Sequence, residues 1–79
     1  MKIIVTGTGC KSCKNLHMLV KEITDNNYPD VDLKYVDNLV EMIELGVSQS
    51  PALLIDGVIA SQGRSINEKE IRELIESHK

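Results

Sequence analysis

"PALLIDGVIA", residues 51–60, sets two apolar runs on either side of Asp56-Gly57. That dipeptide suits a two-residue type I′ hairpin turn, in which both central residues take positive φ. The stretch therefore reads as two antiparallel strands. Pro51 heads the first of them. Proline has no N–H to give to a ladder, so it belongs at a strand's first residue or at a bulge.

Working outward, "KIIV" at residues 2–5 is a short β-branched run ended by "TGTG", which reads as a buried strand followed by a loop. Leu16, Leu19, Val20 and Ile23 then fall at i, i+3, i+4 and i+7, the apolar stripe of a helix. This helix is predicted to begin near Cys10 and to fade at "TDNNYPD", residues 24–30, a cluster of turn formers. In "VDLKYV", Val31, Leu33 and Tyr35 alternate with Asp32 and Lys34, as in a strand covered on one face. Asn38 with Glu41 resembles a capping box, Leu39, Met42 and Ile43 supply the apolar face of a short helix, and Gly46 closes it. Beyond the hairpin, Ser65 with Glu68 repeats the capping logic, and Ile71, Leu74 and Ile75 face inward. The expected order is β-α-β-α-β-β-α, an α/β architecture in one domain spanning residues 1–79. The helical crossover between the first two strands favours parallel pairing, and the hairpin adds antiparallel strands.

Composition narrows the function. The 79 residues are 42% hydrophobic but hold two tyrosines and neither Phe nor Trp, so the core must be Ile, Leu, Val and Met. Net charge is −3, and the nine basic residues are scattered. Nucleic acid calls for a concentrated basic stripe, so no such partner is expected. No apolar run approaches the roughly 20 residues a spanning helix needs, so no membrane association is expected. The N-terminal "MKIIVTGTG" lacks the apolar segment and cleavage site of a signal peptide, which points to the cytoplasm. There, two cysteines close in sequence are more often catalytic or metal-binding than a permanent staple.

Cys10 and Cys13 are the pair in question. Cys10 falls where a loop turns into a helix, so free backbone N–H groups and the positive end of the helix dipole favour its thiolate. Lys11 and Lys14 add positive charge nearby. Cys13 lies one turn on, on the side of Leu16 and Val20, and is expected to be more buried with a higher pKa. That asymmetry suits a two-step exchange in which Cys10 attacks a disulfide and Cys13 resolves the mixed disulfide. Two other readings stand beside it. One is a structural disulfide, which constrains little when the closed loop is so short. The other is a soft ion such as Cu(I); structural zinc wants four ligands, and the chain offers no second CxxC, only His17 four residues after Cys13 and His78 near the end.

With "KIIVTGTGCKSCK", "SPALLIDG" and the closing helix together, nearly the whole chain resembles the thioredoxin superfamily, in its small glutaredoxin-sized branch of redox-active disulfide proteins. The resemblance implies a four-stranded mixed sheet flanked by helices, with Cys10 and Cys13 as the CxxC at the start of the first helix. It also implies a cis Ser50-Pro51 peptide beside the disulfide, which leaves the Ser50 backbone free to pair with a substrate strand. Gly63 matches a position where relatives bring backbone close to the active site. Gly9 stands where a typical thioredoxin has Trp, and Lys11-Ser12 replaces the Gly-Pro of thioredoxins and the Pro-Tyr of glutaredoxins. The first strand carries no buried acid. The implied function is a thiol–disulfide oxidoreductase without cofactor or metal, acting on disulfide-bearing proteins and recharged by a reductase or a low-molecular-weight thiol. A monomer is expected from the small size and few exposed apolar residues.

Two alternatives are a soft-metal carrier and a glutathione-linked glutaredoxin. Heavy-metal-associated domains run β-α-β-β-α-β, which the helix at residues 39–45 and the helical C-terminus do not fit. A glutaredoxin shares the fold, with Lys11 and Arg64 as its candidate glutathione contacts. Thr6 and Thr8 either donate to a thiolate or shape the loop.

Overall fold

Every residue of β1 (Lys2–Thr6) after Lys2 is buried, and so is every residue of β3 (Ala52–Ile55). Strands covered on both faces need apolar side chains in both directions, which "IIV" and "ALLI" supply. They form the centre of a sheet in the order β2-β1-β3-β4, completed by β2 (Asp32–Val36) and β4 (Val58–Gln62). This computed structural model describes residues 1–9, 11–63 and 66–78; Cys10, Arg64, Ser65 and Lys79 lie outside the described residues. β1 runs parallel to β2 and antiparallel to β3, and β3 runs antiparallel to β4. Including α1 (Lys11–Asn27), α2 (Leu39–Glu44) and α3 (Glu68–Ser77), the element order is the expected β-α-β-α-β-β-α.

The hairpin turn takes the backbone its dipeptide requires, with φ of 51° at Asp56 and 85° at Gly57. It is also tied to the start of β1. The Lys2 N–H donates to Asp56 Oδ1 at 2.8 Å, and the Asp56 N–H donates to the Lys2 carbonyl at 2.8 Å.

Alternation along β1 sends Ile3 and Val5 to one face and Ile4 to the other, giving two cores. On the first face Ile3, Val5, Leu53 and Ile55 meet Leu16, Val20 and Ile23 of α1 and Ile71 and Ile75 of α3. On the second, Ile4, Val36, Ala52 and Leu54 meet Met42 and Val47.

α2 departs from expectation. Met42 is buried, but Leu39 and Ile43 are 64% and 65% exposed, as is Val40 at 64%. The reason is the way this six-residue helix closes. The Val47 N–H donates to the Met42 carbonyl and the Gly46 N–H to the Ile43 carbonyl, both at 3.0 Å, with Gly46 at φ 84°. This is the Schellman arrangement, whose characteristic apolar contact joins the residues in the places of Met42 and Val47. Those two therefore anchor the helix, and its other apolar side chains stay outside. Its N-cap is Asn38, which accepts from the Glu41 N–H, while the Glu41 carboxylate turns to Lys34 at 3.1 Å.

The cap of α3 also moves. The N-cap is Asn67, which accepts from the N–H three residues on, at Glu70, while the expected cap Ser65 lies outside the described residues. Both pairs fit the capping pattern in sequence. Asn67 places Ile66 just before the cap and Ile71 at the fourth helical position, and both are buried in the first core, the setting of a hydrophobic staple.

Candidate active site

Three strand ends meet at one edge of the sheet. Thr6 pairs with Val36 on one side and Ala52 on the other, and the Gly7 N–H extends the ladder to the Val36 carbonyl at 3.0 Å. Because β3 is antiparallel to β1, the residue before Ala52, Pro51, falls at this same edge.

The chain leaves β1 through residues 7–9 and enters α1 at Lys11. Two glycines serve this turn for opposite reasons. Gly9 has φ 86° and open space around it, so it is needed for its backbone conformation. Gly7 is needed for room. A β-carbon there would overlap the Cys13 β-carbon and would sit 2.9 Å from Cys13 Sγ and 2.8 Å from the Tyr35 hydroxyl. With only hydrogen at Gly7, the first turn of α1 lies directly on the strand end, and Cys13 is wholly buried, as its place on the stripe with Leu16 and Val20 predicts. Cys13 is disulfide-bonded. Lys11 and Lys14 are exposed on the same turn. Cys10 lies outside the described residues.

On the neighbouring strand, the Ser50–Pro51 peptide is cis, with Pro51 buried and Ser50 half-buried. The loop before β3 is laced to the end of β4. The Gly63 N–H donates to the Pro51 carbonyl at 3.0 Å, and Ser48 donates from N–H and hydroxyl to Gln62 Oε1 at 3.2 and 3.3 Å. Gly63, at φ 75°, lies against the Gln49 side chain. Arg64 is outside the described residues.

Sequence reading missed Tyr35 and Gly7 as parts of this site. Tyr35 is one of two aromatic residues and occupies an inward position of β2, where a polar tip calls for a partner; that was the available signal. Its hydroxyl is buried and has no hydrogen-bond partner among the described residues. The His17 ring stacks on Tyr35, with centroids 4.5 Å apart. Burial, and then the nearby Lys21 charge, hold the His17 pKa below 6.5. Thr6 is also buried with its hydroxyl unpartnered, but it shares the Ile4 face, away from Cys13. Thr8 is exposed. Among the described residues no three His, Cys, Asp or Glu side chains gather as metal ligands. Nor is any described helix long and apolar enough to cross a membrane. A depression of about 260 Å³ between α1 and α3, lined by Glu22, Asn26 and Arg72 among others, lies toward the far end of α1. Along the helix axis Glu22 and Asn26 are roughly 14 and 20 Å from Cys13.

Residues 1–76 match the thioredoxin domain family. A thioredoxin of Methanothermobacter thermautotrophicus is 28% identical over 75 residues, which cover 95% of this chain and 97% of that protein.

Proposed function

The chain belongs to the thioredoxin domain family, and from that premise we propose that it reduces protein disulfides through Cys10 and Cys13. The Cys10 thiolate attacks one sulfur of a target disulfide, and the target's other sulfur leaves as a thiolate. Cys13, as thiolate, then attacks the Cys10 sulfur. A Cys10–Cys13 bond forms, the bond to the target breaks, and the target's second sulfur departs with the electron pair. Two electrons have passed to the target, and a reductase or a low-molecular-weight thiol restores the dithiol.

The observation that carries this reading is the complete burial of Cys13 at the sheet edge that also holds Pro51. A buried sulfur is out of a protein target's reach but available to a cysteine three residues before it in the chain, which is the division of labour that the two steps need. Pro51 brings no N–H to the edge, and the Ser50 backbone beside it pairs with an extended target segment. Lys11 and Lys14 favour the attacking thiolate, Gly9 leaves the approach free of a side chain, and Gly63 brings its backbone close beside Pro51. The chain works as one domain over residues 1–79, as a cytoplasmic monomer.

The test is the dithiol–disulfide equilibrium in redox buffers, read by alkylation and mass, for wild type, Cys10→Ser and Cys13→Ser. A reversible two-electron transition is expected, with Cys13→Ser accumulating mixed disulfides through Cys10. Thiols that do not cycle and are instead shielded by a co-purifying metal would overturn the reading.

A further inference from the structure

We propose that the Tyr35 hydroxyl is the hydrogen-bond donor that holds the Cys13 thiolate while it resolves the mixed disulfide. The inference rests on the oxidoreductase reading and names a group that acts on Cys13 in its second step.

The argument begins with an expense the fold does not need. Buried hydroxyls are nearly always paired, and one left without a partner lowers stability. Phenylalanine at this position would fill the same space with no such cost. Yet the Tyr35 oxygen is buried and unpartnered among the described residues. It lies 2.8 Å from the point where Gly7 would carry a β-carbon, and Cys13 Sγ lies 2.9 Å from that same point. Only the hydrogens of a glycine stand where a side chain would separate them.

Oxidation state decides whether that neighbour can serve. Cys13 is disulfide-bonded in this structure, and a disulfide sulfur is a poor acceptor. A thiolate carries a full charge and accepts strongly. In the oxidised state the hydroxyl therefore has no partner among the described residues, and it gains one when the bond to Cys13 opens.

The other described polar groups near this end of the sheet are placed differently. His17 stacks on the Tyr35 ring and holds it in place, with its pKa lowered by burial and then by the Lys21 charge. Lys11 and Lys14 are exposed, and solvent screens them. Just past β1 the chain faces the sulfur with Gly7, which has no polar side chain, and the Thr6 hydroxyl is on the opposite face.

In the step itself Tyr35 keeps its proton. The Cys13 thiol first releases its own proton to water. The electron pair on Cys13 then forms the bond to the Cys10 sulfur, and the pair of the broken bond leaves on the target sulfur. The hydroxyl's part is to raise the thiolate fraction of Cys13 and aim its sulfur.

The experiment compares Tyr35→Phe with the wild-type residue in two backgrounds. With Cys10→Ser, the carbon-13 chemical shift of the Cys13 β-carbon against pH titrates Cys13 alone, free of the tyrosinate absorbance that Tyr35→Phe itself would change. The phenylalanine variant is expected to need about one pH unit more, a tenfold smaller thiolate fraction at a given pH, as suits a lost hydrogen bond to a charge. With both cysteines present, a preformed mixed disulfide on Cys10 is expected to resolve about tenfold more slowly. The oxidised variant should melt no lower than wild type, since no hydrogen bond is lost there. Unchanged titration and resolution rates, or a lowered melting point of the oxidised form, would overturn the proposal. If wild type fails to resolve mixed disulfides at all, the oxidoreductase reading falls, while the Cys13 titration still decides whether Tyr35 supports the thiolate.

Discussion

The two faces of this sheet are covered unequally. One lies beneath α1, 17 residues long, and α3, 10 residues long; the other lies beneath α2, which has six. On the first face the helices bring five apolar side chains, Leu16, Val20, Ile23, Ile71 and Ile75, onto Ile3, Val5, Leu53 and Ile55. On the second, Met42 and Val47 do most of the covering, while Leu39, Val40 and Ile43 stay outside. Cys13 belongs to the heavily covered side, on the same helix stripe as Leu16 and Val20. The packing that stabilises the domain thus also removes the candidate resolving sulfur from solvent. The lighter face anchors a short helix by its closing turn and leaves the remainder exposed.

The sharpest way to break that contrast is to truncate one anchor on each side. Ile71→Ala should lower stability by about 4 kcal/mol, since a cavity opens between α3 and two central strands that cannot close in. Met42→Ala should cost about 2 kcal/mol, because a single short helix can settle into the gap. Equal losses in denaturant unfolding would show that the faces do not differ in the way described. Next come the glycines of the turn into α1. Gly7→Ala should cost about 3 kcal/mol, as its new methyl meets the Cys13 β-carbon, part of a packed helix turn. Gly9→Ala, strained in backbone but free in space, should cost about 1 kcal/mol. The reverse order would mean that the first turn of α1 can lift from the strand at little cost.

Caps give a smaller test. Asn67→Ala and Asn38→Ala each remove an acceptor from a helix's first turn and should cost about 1 kcal/mol. Hydrogen exchange should separate them. Loss of the α3 cap loosens a helix buried in the main core, whereas loss of the α2 cap is felt only by α2.

His17 provides the smallest effect. Its folded pKa lies below 6.5, chiefly through burial, so the unfolded chain takes up the proton first. The stability it contributes is intact above about pH 6.5 and declines as pH falls through the lower folded value. The stability gap between wild type and His17→Gln should therefore narrow from about pH 8 to about pH 5. A gap that widens would mean that the stacked ring gains a partner when charged.

Much of this was readable in the chain. The Asp56-Gly57 turn, the strand runs and the stripe through Leu16, Val20 and Ile23 are local periodicities, and those elements formed where the pattern placed them. The burial of Cys13 followed from its place on the stripe. Less legible was which of several equivalent local patterns would win. Ser65-Glu68 and Asn67-Glu70 are equally good caps by spacing, and the buried pair Ile66 and Ile71 selected the second. The apolar residues of α2 looked like one face, but the Schellman closure chose Met42 and Val47. The resemblance singled out Ser50 and Pro51, and their edge lies beside Thr6 only through strand register.

The amino-acid sequence by itself determined the elements, their order and the position of the cysteine pair, because period, turn chemistry and capping act over a few residues. Only the tertiary structure decided that Gly7 must lack a side chain, that Tyr35 and Cys13 share its empty space, and that His17 stacks on that tyrosine. Those contacts join residues from β1, α1 and β2, which are distant in the chain and are brought together when the helix packs across the parallel pair. No local pattern in the sequence encodes that distance.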